Sequence, residues 1–138
     1  MASLTYNELN VGDHAEVTKT ISETDIYLFA GITGDMNPAH VNEEYARNTS
    51  FGKRIAHGIL MCGFISNVLG NYLPGNGTIY MRQTVTFLAP VYIGDTITAR
   101  VEVLEKREEK KRVLLKTNCT NQKGEVVVDG EALVSPPR

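Results

Sequence analysis

Apolar and polar positions alternate in two different rhythms along this chain. In 78–87 the apolar residues Ile79, Met81, Val85 and Phe87 fall on alternating positions, with Gln83 the one polar residue in their row. In 96–104 Ile97, Ala99, Val101 and Val103 do so, in 112–120 Val113, Leu115 and Cys119, and in 125–134 Val126, Val128, Ala132 and Val134. Period two with one polar face predicts antiparallel strands packed on one side and wet on the other. Another strand is predicted over 14–20. Asn121-Gln122-Lys123-Gly124 is a hairpin turn, and the charged run 105–111 a solvated connection. The stretch from His57 to Tyr72 is different. It is apolar nearly all round, which predicts a buried helix, about 24 Å long at ~1.5 Å per residue. Leu73-Pro74-Gly75 ends it.

Two shorter helices precede that one. Ser22 is a capping residue, with Glu23 and Asp25 in a first turn where the helix dipole favours negative charge. Ile26, Phe29 and Ala30 follow at helical spacing, and Gly31 and Gly34 break the pattern. Asn37-Pro38 starts the next helix, Asn37 as cap and Pro38 at its first position, with Met36 and Val41 placed as a hydrophobic staple. That helix is expected to end near Asn48. One very apolar helix and four long strands predict an α+β fold, a buried helix against a curved antiparallel sheet. The sheet covers one side of the helix only, so a second copy of the chain is a natural source of cover for the other.

Composition narrows the function classes. The chain has 138 residues, 42% hydrophobic and 22% charged, with net charge −2. That suits one soluble domain, 1–138, and no basic stripe points to nucleic acid. Cys62 and Cys119 lack metal-ligand spacing, so no metal is expected, and Cys62 reads as a buried thiol. The apolar run at 59–69 is too short for a membrane span. The first ten residues lack a basic cap followed by an apolar run, so a cytoplasmic protein is expected.

The chemistry concentrates in Gly34-Asp35-Met36-Asn37-Pro38-Ala39-His40. The Asn-Pro cap puts His40 on the first turn of a helix and Asp35 just outside its mouth. The two side chains can then meet at one water molecule. Ile55-Ala56-His57-Gly58 follows, opening the apolar helix. Its first turn carries unpaired N–H groups and the positive dipole end, and a glycine there lets a substrate approach the backbone. His57 reads as a polar residue of the helix start and His14 as a surface residue. Asn42 and Tyr45 read as surface or packing residues, and Lys53 and Arg54 as solvated loop charges, with contact to the phosphates of a substrate as a lesser alternative.

Gly34-Asp35-x-Asn37-Pro38-x-His40 with His57-Gly58 resembles the MaoC-like (R)-specific enoyl-CoA hydratases, also called hydratase 2. Leu73-Pro74-Gly75, Phe87-x-x-Pro90-Val91 and Gly94-Asp95 fit the same family, so the likeness runs from about residue 8 to 134. The resemblance implies a hot-dog fold, in which a sheet wraps a long central helix, assembled as a homodimer. It implies reversible hydration of a trans-2-enoyl-CoA thioester to the (R)-3-hydroxyacyl-CoA, with no cofactor. Asp35 and His40 match the catalytic pair. Gly58 matches the residue whose N–H binds the thioester oxygen, and Ser66 a helix residue supporting the aspartate. Leu69 is a candidate wall of the acyl tunnel.

Other functions stay open on the sequence. A hot-dog thioesterase would direct water at the thioester carbon, which the Asp35/His40 pairing fits less well. A dehydratase for branched, dicarboxylic or carrier-protein-bound acyl groups would use the same residues. A non-catalytic acyl-CoA-binding module has no need of both at one turn.

Overall fold

The computed structural model describes residues 3–138. A short 3-10 turn, Tyr6–Glu8, leads to strand β1 (His14–Thr20) and helix α1 (Glu23–Thr33). Two small helices, α2 (Pro38–Val41) and α3 (Glu43–Arg47), come before α4 (Leu60–Asn71). Four strands then follow, β2 (Ile79–Phe87), β3 (Thr96–Arg107), β4 (Arg112–Thr120) and β5 (Val126–Ser135). The five strands form one antiparallel sheet in the order β1-β3-β4-β5-β2.

The caps are where the sequence puts them. Ser22 accepts from Asp25 N–H, and the Asp25 carboxylate accepts from Ser22 N–H. Asn37 accepts from Ala39 N–H at 3.0 Å, with Pro38 next. Gly31 lies inside α1. Gly34 alone ends it, at φ +81°, a left-handed position that favours glycine. The second helical stretch does not run unbroken to Asn48. It breaks at Asn42, whose N–H closes α2 on Pro38 O and whose side chain caps α3 through Tyr45 N–H. Asn42, exposed at the surface, is therefore also the joint between the two helices. Met36, expected in a staple, is 59% exposed.

α4 crosses the concave face of the sheet and buries Met61, Ile65, Val68 and Leu69 with Ile97, Ala99, Val101, Val103 and Leu115 in one core. Each of these side chains other than that of Ala99 contributes about 1.5–3 kcal/mol. The opposite face of α4, with Gly63, Ser66 and Asn67, is exposed. The helix is thus half-covered in the protomer, not buried all round.

Two strands depart from simple alternation. β2 shifts register by one residue at Met81, between Tyr80 and Arg82, and occupies the sheet edge. Tyr80, Gln83 and Val85 are half-buried, while Ile79, Met81 and Phe87, expected inside, are 62%, 45% and 51% exposed. A second shift at Val127 lets β5 bury Val127 and Val128 in succession and turns Val126 outward. A one-residue shift inverts every side chain beyond it, so composition alone does not reveal it.

Candidate active site

The site forms where the α1–α2 linker, α2 and the start of α4 meet. Thr33 Oγ1 accepts from Asp35 N–H at 3.1 Å, and the Asp35 carboxylate accepts from Asn37 N–H at 3.3 Å. These two bonds tie the linker to both helices. The side chain of Asp35 itself stays exposed. His40 donates from Nδ1 to the carbonyl of Ile55 at 2.7 Å. A carbonyl only accepts, so this bond fixes the proton on Nδ1 and leaves the Nε2 lone pair of the neutral ring free. Ile55 N–H returns a bond to Ala39 O at 3.2 Å.

His57 lies beneath this pair. It is 1% exposed, and its Nε2–H donates to the backbone carbonyl of Asp35 at 3.0 Å. Its ring stacks on that of His40, centroids 3.9 Å apart and planes 29° apart, and leans on Phe29 at 4.8 Å. One donor atom each of Asp35, His40 and His57 fall within 4.8 Å of one another. A spacing that would seat a cation seats a water equally well. The sequence treated His57 as a helix-start residue; the structure makes it part of the site.

A cavity of about 560 Å³ opens onto these groups. Asp35, His40, His57 and Gly58 form its polar wall; Met61, Phe87, Leu88 and Val128 are among its apolar ones. This is the size and polarity of a small-molecule site. α4 starts at Leu60, two residues after Gly58, through a tight first turn in which Leu60 and Met61 N–H bond to His57 O and Gly58 O. Gly58 N–H and Ile59 N–H have no acceptor among the described residues. A Cβ on Gly58 would sit 2.8 Å from Phe87 Cδ1, so only glycine fits here without displacing that ring.

A family model described as MaoC like domain matches residues 8–124. The chain belongs to the MaoC-like family. It is 55% identical over 132 residues to an (R)-specific enoyl-CoA hydratase of Rhodospirillum rubrum, covering 96% of this chain and 91% of the relative. It is 48% identical over 135 residues to a 3-hydroxybutyryl-CoA dehydratase of Methylorubrum extorquens, covering 98% and 85%. Among solved structures, the R-hydratase PhaJ1 from Pseudomonas aeruginosa in the unliganded form superposes with a TM-score of 0.93 at 46% identity, covering 99% of this chain and 87% of that one. The fold is therefore the hot-dog fold of these hydratases, and the protein is an enzyme of the hydro-lyase kind.

In this MaoC-like chain the remaining candidate residues fall elsewhere. Ser66 is on the exposed face of α4, makes no side-chain hydrogen bond among the described residues, to Asp35 or to any other group, and does not line the cavity. Leu69 is 1% exposed in the core and does not line the cavity. Arg54 is no solvated loop charge. Its guanidinium, 11% exposed, binds Glu23, Glu43 and the Tyr27 hydroxyl. The bond to Glu23 above all raises its pKa further. Lys53 lies over the Tyr92 ring at 4.6 Å. Arg54 thus pins α1 to α3 around the site and has few donors left for a substrate phosphate.

Proposed function

We propose that this chain is an (R)-specific enoyl-CoA hydratase, which adds water reversibly across the double bond of a trans-2-enoyl-CoA thioester. One observation carries the reading. Asp35 and His40 line one cavity with Gly58, and the Ile55 carbonyl holds His40 with its Nε2 lone pair available. Asp35 and His40 bind one water between them. The pair takes a proton from it as the oxygen bonds to C3, and returns that proton to C2 on the same face. The two acceptors act as a coupled unit. The thioester oxygen, which gains negative charge when the C3–O bond forms, receives the Gly58 N–H at the positive end of α4. The three apolar residues Phe87, Leu88 and Met61 shelter the acyl chain.

The active form we propose is a cytoplasmic homodimer of single-domain chains. Among the described residues the outer edge of β2 pairs with no strand and carries exposed Ile79, Met81 and Phe87, and α4 presents an uncovered face. Joining two β2 edges covers both. Sedimentation equilibrium at twice the chain mass tests that part.

The test of function is hydration of crotonyl-CoA, followed by loss of the conjugated-thioester absorbance, with chiral analysis of the product. Asp35→Asn and His40→Gln should each lower kcat by about 10²–10⁴-fold. An (S)-product, or free thiol released without 3-hydroxyacyl product, overturns the proposal.

A further inference from the structure

The tripeptide Ile55-Ala56-His57 reaches both catalytic candidates at once. Ile55 fixes the tautomer of His40 through its carbonyl. His57 grips Asp35 by the main chain and lies flat against His40. Between them, Ala56 N–H donates to Val91 O at 2.7 Å, which anchors the tripeptide to the segment between β2 and β3. Gly58 is the next residue. The linker that carries Asp35 has little else to hold it: it follows a left-handed glycine and is exposed. Its short-range bonds, from Asp35 N–H to Thr33, from Met36 N–H to Gly34 O and from Asn37 N–H to the Asp35 side chain, leave the Asp35 carbonyl to His57 alone.

From this we infer that His57 is a positioning residue for the hydration reaction, setting the distance between Asp35 and His40 through its Nε2–H bond and its stacked ring. The inference rests on the hydratase reading above. The geometry also fixes the state of the ring. Nε2 faces an acceptor-only carbonyl and so carries a proton, while Nδ1 is buried with no hydrogen-bond partner among the described residues. A residue kept only for packing would not retain a buried nitrogen without a partner; a leucine or phenylalanine would fill the same space. A pair that must share one water tolerates little displacement, because misplacement by about 1 Å costs roughly 10²-fold in rate.

Two variants separate the parts. His57→Gln keeps an N–H near the Nε2 position and loses the ring; His57→Phe keeps the ring and loses the N–H. Both are measured as full-length protein, with thermal unfolding to confirm the fold. The expected result for His57→Phe is a fall in kcat of about 30–100-fold with KM within about threefold of the parent, and for His57→Gln a recovery to within about tenfold. Folded His57→Phe with the parent's kcat overturns the inference, as does a loss confined to KM. Should both variants unfold, ¹⁵N NMR of the imidazoles in the unsubstituted protein decides: a protonated Nε2 on His57 supports the inference, and a bare Nε2 overturns it. The two readings fail separately. A parent protein that does not hydrate crotonyl-CoA sinks the hydratase reading, whereas an active parent with an equally active His57→Phe sinks only this one.

Discussion

Gly130 passes so close to the backbone of Thr84 that a Cβ on it would lie 1.9 Å from the Thr84 carbonyl oxygen. Gly130 sits mid-strand in β5, opposite Val85 on β2 and Thr117 on β4. A glycine inside a strand weakens it intrinsically, and close approach of another backbone is the compensation. The obstacle is a main-chain atom, so no rotamer change relieves it. Gly130→Ala should cost about 3 kcal/mol, with a fall in Tm of roughly 10 °C. Denaturant titration checks it; an unchanged midpoint would contradict the contact.

The Arg54 network should give the protein an acid-sensitive hinge between α1 and α3. The Arg54 guanidinium, and then the Tyr27 hydroxyl, hold the Glu23 carboxyl below its ordinary range. A folded-state pKa lowered in this way stabilises above the unfolded value near 4.5 and loses that stabilisation as pH falls through the folded one. Arg54→Met should therefore lower Tm at pH 7 by more than at pH 3, which lies below the unfolded value and where part of that stabilisation is already lost. Thermal scans at the two pH values decide; equal losses would mean that Arg54 acts through packing alone.

What the chain discloses in advance follows from how local each interaction is. That Asp35 and His40 face one cavity is legible because they lie within six residues and because Asn37 and Pro38 announce the cap between them. The strands were legible for the same reason, since alternation is a nearest-neighbour property. The parity of β2 was not, because the register shift at Met81 depends on the partner strand. The bonds of His57 and Arg54 are not legible because what they hold is remote in sequence: Asp35 is 22 residues from His57, and Glu23 is 31 from Arg54. No spacing rule carries such a bond. Ser66 rests on resemblance and Leu69 on its place in the apolar helix, and neither lines the cavity of the single chain.

The two thiols should differ sharply in reactivity. Burial raises the pKa of Cys62 and pushes that of Cys119 up to about 12. Cys119 is fully buried and its Sγ–H points at Met61 O. Since the thiolate is the reacting species, a raised pKa leaves little of it at pH 8. Iodoacetamide on the folded protein at pH 8 should modify Cys62 slowly and Cys119 only after unfolding. Peptide mapping by mass spectrometry checks this, and alkylated Cys119 in protein that remains folded would contradict it.

Gly58 offers the sharpest separation between crowding and chemistry. A methyl there would meet the Phe87 ring at 2.8 and 2.9 Å, yet Phe87 is half-exposed and can swing away. Gly58→Ala should therefore fold, and it keeps the N–H assigned to the thioester oxygen. What it loses is open approach to that N–H, so kcat/KM should fall by about 10–10²-fold, less than the loss of a donor outright. Phe87→Ala removes the clash but leaves the new methyl beside the N–H. The double variant Gly58→Ala/Phe87→Ala should thus recover stability without recovering more than a small part of the rate. Full recovery of kcat/KM in the double variant would show that Gly58 serves only to make room for Phe87, and would remove it from the oxygen-binding role.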